Sequence, residues 1–248
     1  MRVPWPNRFP PVFIHAHWSL ADSPKGPALE EHRCYDAAKR QGSVLAALQI
    51  VEDLYDEDVL DRIVDCFRDM EPIVVAPATR PEESKNALAI SYAQWVAREL
   101  NIEVCETIFQ GRDVKRDKMN FWYRIANQPS FYGDVPPGRD FIIVDDVFTL
   151  GGTLAGLRGF IETNDSRVIC MSALAHRSGA HVEIALDNAT HEALSGAHGV
   201  RLDNLLREEL GYETDCLTLP EAQGLLRSAS FDELRAAIHG ARDLGDAR

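Results

Sequence analysis

The segment Phe141-Ile142-Ile143-Val144-Asp145-Asp146-Val147-Phe148-Thr149-Leu150-Gly151-Gly152-Thr153 decides how this 248-residue chain folds. Four apolar residues in succession read as a strand buried on both faces, and the strand delivers two adjacent carboxylates at its C-terminal end. A turn of Thr149, Leu150, Gly151 and Gly152 then leads into a helical pattern over Thr153–Glu162. In an open α/β sheet, ligands sit outside the carboxyl ends of the strands. The backbone N–H groups of such a turn, with the helix N-terminus, make a positive concavity suited to phosphate. Glycine at 151 and 152 removes Cβ atoms that would hold phosphate oxygens off the backbone, and it permits positive φ. The Thr149 and Thr153 hydroxyls can donate to the remaining phosphate oxygens. Two carboxylates beside a phosphate would repel it. They make sense as acceptors for the vicinal hydroxyls of a sugar, directly or through Mg²⁺. The stretch reads as a grip for ribose 5-phosphate, on condition that both acids are open to a sugar and the turn is open to an anion.

Outward from this segment the pattern alternates. Apolar runs at Pro72–Ala76, Ile102–Phe109 and Val168–Ala175 read as further strands, and a helical pattern covers about Glu82–Leu100, with Leu88, Tyr92, Trp95, Val96 and Leu100 on one face. Continuous apolar strands separated by helices predict an α/β fold with a central parallel sheet flanked by helices. Before it lies residues 1–70. A proline-rich arm over residues 1–27 (Pro4, Pro6, Pro10, Pro11, Pro24, Pro27) reads as extended chain lying on the body. A helical prefix follows over Ala28–Arg40, Ser43–Tyr55 and Asp58–Met70, the second helix capped by Ser43. After the 71–187 core, with a strand expected at His181–Leu186, residues 188–248 form a helical C-terminal tail of three segments. A start signal, Leu217-Thr218-Leu219-Pro220-Glu221, lies within that tail. Residues 110–140 break the rhythm as a long polar, basic connection, of the kind that is usually functional.

Composition narrows the classes. With 26 Lys and Arg against 39 Asp and Glu the formal net charge is −13, which argues against a nucleic-acid partner or a polybasic membrane anchor. Five widely spaced cysteines without a CxxC pair suggest neither a zinc knuckle nor a disulfide framework. Absence of a signal-like or membrane-length apolar run leads us to expect a cytoplasmic protein without membrane association.

The 141–153 segment resembles the thirteen-residue signature of type I phosphoribosyltransferases: four apolar residues, two acidic, two apolar, Thr, a loosely constrained residue, Gly, a variable residue, Thr. Leu150 stands where many members carry a second Thr, at a position read through its backbone. The likeness spans about residues 70–180, and Arg124 through Asn127, Phe131 and Gly138 are similar to the competence-associated branch of the family. The prefix and tail look like those of an uncharacterised bacterial group.

The resemblance implies a ligand, 5-phosphoribosyl-1-pyrophosphate (PRPP), Mg²⁺ as cofactor, and a homodimer. Asp145 and Asp146 would hold the ribose hydroxyls, with Mg²⁺ near them, and Thr149, Leu150, Gly151, Gly152 and Thr153 the 5′-phosphate. The family's pyrophosphate loop falls on Ala76–Asn86, with Arg80, Ser84, Lys85 and Asn86 as polar candidates. Arg112, Lys115, Arg116 and Lys118 set four basic residues against Asp113 and Asp117, a local +2 in a chain of −13. They suit a lid over a departing pyrophosphate, shared by Arg124. The chemistry would be displacement at the anomeric carbon by a nitrogen acceptor, whose proton one carboxylate, Asp146 before Asp145, would take. A PRPP-sensing module that kept the grip and lost transfer is the alternative; basic groups retained in both loops favour the enzyme. The acceptor itself has no signature to read. Of the bland readings, Ser84–Asn86 also fit a helix cap, Trp95 a core residue, and His15-x-His17 lacks further ligands for a metal.

Overall fold

A computed structural model describes residues 2–22, 26–80, 85–111, 119–228 and 230–246. Along the chain run β1 (Phe13–His17), α1 (Tyr35–Arg40), α2 (Val44–Leu54), α3 (Glu57–Asp65), β2 (Ile73–Val75), α4 (Leu88–Leu100), β3 (Glu103–Val104), β4 (Ile108–Gln110), α5 (Phe121–Ala126), β5 (Phe131–Gly133), β6 (Asp140–Val147), α6 (Gly152–Glu162), β7 (Arg167–His176), α7 (Asn188–His198), α8 (Val200–Leu210), α9 (Leu219–Leu225) and α10 (Phe231–Asp246). Five strands pair in parallel in the order β1-β7-β6-β2-β3, and β4 with β5 forms a separate antiparallel pair. The expected α/β architecture, a parallel sheet flanked by helices, is the one observed.

Strand β6 runs through the middle of the sheet, and its successive side chains enter different layers because a strand alternates faces. Ile142 and Val144 pack with Tyr92, Trp95 and Val96 of α4; Phe141 and Ile143 pack with Leu154, Leu157 and Ile161 of α6. Trp95 is a core residue, as expected. Ser43 Oγ accepts from Ala46 N at 3.3 Å and starts α2 as the sequence predicts. The prefix packs Ala38, Ala47, Ile50 and Leu54 against Leu88 and Ala175, above the C-terminal strand ends. In the tail, Leu194, Leu202, Leu206, Leu225, Leu234 and Ile238 build a further core around Ile125 of α5.

Four expectations differ from what is observed. Phe13–His17, expected only as part of an extended arm, is the edge strand β1: no proline falls between Pro11 and Pro24, so every residue from Val12 to His17 keeps its N–H for pairing. The apolar run Ile102–Phe109 is interrupted, and its second half joins the antiparallel pair instead of the main sheet. His181–Leu186 makes no strand; Val182 and Ala185 form isolated bridges to Val12 and Thr218. The tail holds four helices among the described residues rather than three, because Gly199, at φ +59°, divides α7 from α8. No helix among the described residues is long and apolar enough to cross a membrane.

Candidate functional site

The alternation of β6 separates the two acids. Asp146 falls on the face of Ile142 and Val144, under α1 and α4; Asp145 falls on the opposite face, beside α6. Asp146 is buried, and its Oδ2 accepts from Lys39 Nζ and from Asn86 Nδ2, the latter at 2.9 Å. Both donors arrive through one joint. Ala38, wholly buried at the end of α1, accepts through its carbonyl from Ala87 N at 3.0 Å, so Lys39 and Asn86 are neighbours across that bond. Asn86 Oδ1 also accepts from Leu88 N, the first residue of α4, at 3.1 Å, so one side chain ties the start of that helix to the acidic pair. Asp145 is half-buried, and its Oδ1 accepts from Asp146 N at 2.8 Å.

Charge is divided unequally. Burial drives the Asp145 carboxyl well above the ordinary carboxylate range, and the neighbouring Asp146 adds to the effect. Burial works on Asp146 in the same sense, but the Lys39 ammonium and the hydrogen bonds from Lys39 and Asn86 outweigh it and hold Asp146 low. The Lys39 ammonium, disfavoured by burial, is held above its ordinary value by Asp146. The pair thus carries its charge on Asp146, balanced by Lys39. Two open carboxylates are therefore not what the site offers: Asp146 is committed to an ion pair and Asp145 is the more accessible acid.

Behind the acids, the turn has the expected backbone. Gly151 adopts φ +79° as the N-cap of α6, which has no side-chain cap, and the first helical bond runs from Ala155 N to Gly151 O at 2.9 Å. The N–H groups of the first turn therefore have no helix carbonyl to meet. Carbonyls on the other side are clamped. Thr218 Oγ1 donates to Leu150 O at 2.5 Å, and Arg2 Nη2 donates to Gly152 O at 3.4 Å. In a trans peptide the N–H points opposite to the C=O, so the Gly151 and Thr153 amides point away from the clamp. Gly152 has a different purpose from the expected one. A Cβ there would lie 2.7 Å from Arg2 Nη2 and Glu221 Oε1, so the space vacated is filled by an ion pair, not kept for phosphate oxygens.

The remaining candidates fall into three places. Arg124, on the α5 that the tail core supports, donates to the exposed Thr149 Oγ1 at 3.1 Å and to Met119 O at 3.0 Å, which puts it at the mouth of the turn. Arg80 lies elsewhere, 5.0 Å over the Phe109 ring and 5.8 Å from that of Tyr132 on the β4–β5 pair, and Lys85 is exposed. Ser84, Arg112, Lys115, Arg116 and Lys118 lie outside the described residues.

A resident Mg²⁺ does not fit the donors present. Asp146 Oδ2 already accepts from an ammonium and an amide, and among the described residues no group of three or more His, Cys, Asp and Glu side chains could hold a metal ion. His15 is engaged through both ring nitrogens, Nδ1 accepting from Asp56 N at 2.9 Å and Nε2 bonded to Tyr92 Oη at 2.7 Å.

Sequence reasoning missed Lys39, Arg2, Thr218 and Glu221. Nothing local separates Lys39 from a solvated helix lysine; only the small pair Ala37-Ala38 before it hints that this helix end packs closely. Thr218 and Glu221 are visible as a helix start, and they do form the capping box of α9. Their second task, holding the turn, depends on contacts 68 or more residues away.

No protein-family model matches the chain. It is 33% identical to protein TraN of Escherichia coli over 243 residues, which cover 98% of this chain and 52% of the relative. It is 31% identical over 161 residues, 65% of this chain and 34% of the relative, to an uncharacterized protein of Haemophilus influenzae. The chain thus spans about half or less of the length of these curated relatives. Among solved structures it is similar to an adenine phosphoribosyltransferase, with a TM-score of 0.34 and 14% identity over 54% of this chain and 69% of the other. The enzyme of that name from Leishmania tarentolae gives a TM-score of 0.34 and 17% identity over 71% and 85%. A phosphoribosylpyrophosphate synthetase from Mycobacterium smegmatis gives 0.34 and 18% over 54% and 35%. Likenesses this distant carry no weight for function, which rests on the residues of the site.

Proposed function

We propose that the chain binds PRPP by its ribose 5-phosphate end and transfers the phosphoribosyl group to a nitrogen acceptor. One arrangement carries the reading: β6 runs its acidic pair directly into a positive-φ Gly151 turn, and that turn opens a helix without a side-chain cap, with Thr149 and Arg124 at its mouth. In this reading the amides of the turn and the Thr149 hydroxyl take the 5′-phosphate, with the helix N-terminus adding its partial positive charge. Asp145, the more accessible acid, meets the ribose hydroxyls, and Asp146, engaged by Lys39 and Asn86, backs it. The bond from the anomeric carbon to pyrophosphate breaks, the electron pair leaves with pyrophosphate, and the acceptor nitrogen forms the new bond and passes its proton to the departing pyrophosphate. Immobilising the ribose against the acids is the chain's main contribution to that step. Any Mg²⁺ travels with the pyrophosphate as part of the substrate. Arg112, Lys115, Arg116 and Lys118 would close over that pyrophosphate. A kinship with the competence-associated branch belongs to the same reading.

A second reading, a PRPP-sensing module without transfer, is favoured by one observation: Lys39 occupies Asp146, the acid expected to receive the acceptor's proton. Pyrophosphate release from PRPP with pooled nitrogen acceptors separates the two. The enzyme reading expects release that falls about a hundredfold or more in an Asp145→Asn/Asp146→Asn variant. PRPP binding without release for any acceptor selects the sensor, and absence of PRPP binding overturns both.

A further inference from the structure

The charge balance of the site points beyond this reading. A sugar phosphate laid against this acidic pair brings a dianion beside the charged Asp146, and a divalent ion is the ordinary remedy. This chain brings its own cations. Lys39 lies on Asp146, its side chain 25% exposed, and Arg124 donates to Thr149 at the other end of the grip at 3.1 Å.

Placement of Lys39 is structural and not a chance of side-chain reach. Ala38 is wholly buried, its carbonyl accepts from Ala87 N at 3.0 Å, and Asn86 on the far side of that bond donates to the same carboxylate oxygen at 2.9 Å. Lys39 and Asn86 both meet Oδ2. An ammonium has three N–H donors, so Lys39 can hold Asp146 and still donate to an oxygen of the sugar.

We propose that the Lys39 ammonium, fixed against Asp146 by the junction of α1 and α4, stands in for a divalent metal at the ribose end of the site, so that ribose 5-phosphate binds without Mg²⁺. The inference rests on the ribose-phosphate reading. It replaces the metal expected near Asp145 and Asp146 with a side chain of the prefix, and it gives the prefix a part in binding.

Calorimetric titration of the full chain with ribose 5-phosphate, in EDTA and in Mg²⁺, tests this; the probe lacks pyrophosphate, so no metal enters with it. The wild-type Kd should agree within about twofold in the two media. Lys39→Gln should bind roughly tenfold more weakly in EDTA, the weight of one charge-assisted contact, and recover most of that in Mg²⁺. Lys39→Arg should stay within about threefold of wild type, since it keeps the charge. If Lys39→Gln does not fold, reductive methylation of the wild type read by mass spectrometry decides: ribose 5-phosphate in EDTA should protect Lys39. Wild-type binding only in Mg²⁺ overturns the inference and leaves the ribose site standing. So does equal or tighter binding by Lys39→Gln in EDTA, which makes Lys39 a plug, or a lack of protection despite binding. No binding of ribose 5-phosphate in either medium overturns the ribose reading itself.

Discussion

Two buried ion pairs flank the Thr149–Thr153 turn, and they are built differently. Behind it, Arg2 grips Glu221 with both terminal nitrogens, at 2.5 and 2.8 Å, and the two side chains are 3% and 0% exposed. The guanidinium also lies 4.6 Å from the Tyr212 ring centroid and reaches Gly152 O. In front, the Lys39 ammonium meets a single oxygen of Asp146, and the side chains are 25% and 9% exposed. A planar fork matched to a carboxylate in a dry site is rigid and unsuited to exchange. An ammonium on a flexible stem at a partly wet site keeps donors to spare. The rear pair is scaffold that fixes the carbonyls of the turn; the front pair is where a ligand can enter the hydrogen bonding. Buried charge alone therefore does not mark a functional site, whereas its geometry and access do.

The largest expected effect breaks the rear pair. Arg2→Met leaves Glu221 buried without its partner, which should lower stability by about 3–5 kcal/mol in urea unfolding. Arg2→Lys keeps the charge but loses the fork, and should fall between that variant and wild type. If Arg2→Met unfolds at the wild-type urea concentration, the rear pair is not the scaffold.

Acid challenges more than the two ion pairs, because a buried neutral group also responds. His15 is buried beneath α4, and burial lowers its pKa from 6.5 to about 4. Its hydrogen bonds have one consistent direction. Ser172 Oγ donates to Phe13 O at 2.8 Å, so Tyr92 must donate to Ser172 at 2.7 Å, and His15 Nε2–H then donates to Tyr92. That order requires a neutral ring. Between pH 6.5 and about 4 His15 binds a proton in the unfolded chain that it does not bind in the folded one, so its contribution to stability falls as pH drops through this window, by about 3 kcal/mol. Urea midpoints measured at successive pH values check this, and His15→Gln should flatten the slope.

The same difference between rear and front explains what could be read from the sequence. β6, the turn and α6 were legible because local pattern determines them: apolar residues through 141–144, a glycine where φ is positive, a helical repeat after it. The acids at 145 and 146 were legible as a pair, but not their separation in charge, because Lys39 lies 107 residues from Asp146. Glu221 was legible as part of a capping signal, yet its partner Arg2 lies 219 residues away, inside an arm whose prolines suggested only extended chain. Residues that a local rule places were found, and residues placed by a distant charge were not.

Gly152 sharpens the contrast on the rear side. A methyl group there would stand 2.7 Å from Arg2 Nη2 and Glu221 Oε1, which hold each other, and 2.8 Å from Gln128 Oε1, whose side chain is fixed through Nε2. Gly152→Ala should therefore lower stability by about 1–3 kcal/mol, the usual range for overpacking. If Gly152→Ala melts with the wild type, the ion pair can move aside and the turn is not clamped as described.

The smallest expected effect lies on the front side and separates binding from stability. Thr149 is exposed, and its Oγ1 accepts from Arg124 at 3.1 Å, so its own hydroxyl proton is free to point toward an anion. Thr149→Val preserves the branched shape and removes that donor. Arg124 keeps its bond to Met119 O at 3.0 Å and its access to water, so no buried group loses a partner and the melting temperature should not change. A bound phosphate would lose one hydrogen bond to a charged acceptor, and the Kd for ribose 5-phosphate should rise about tenfold. An unchanged Kd with unchanged stability would remove Thr149 from the phosphate grip and confine that grip to backbone amides. A fall in stability without any change in Kd would place Thr149 with the rear scaffold, and the division between the two sides of the turn would fail.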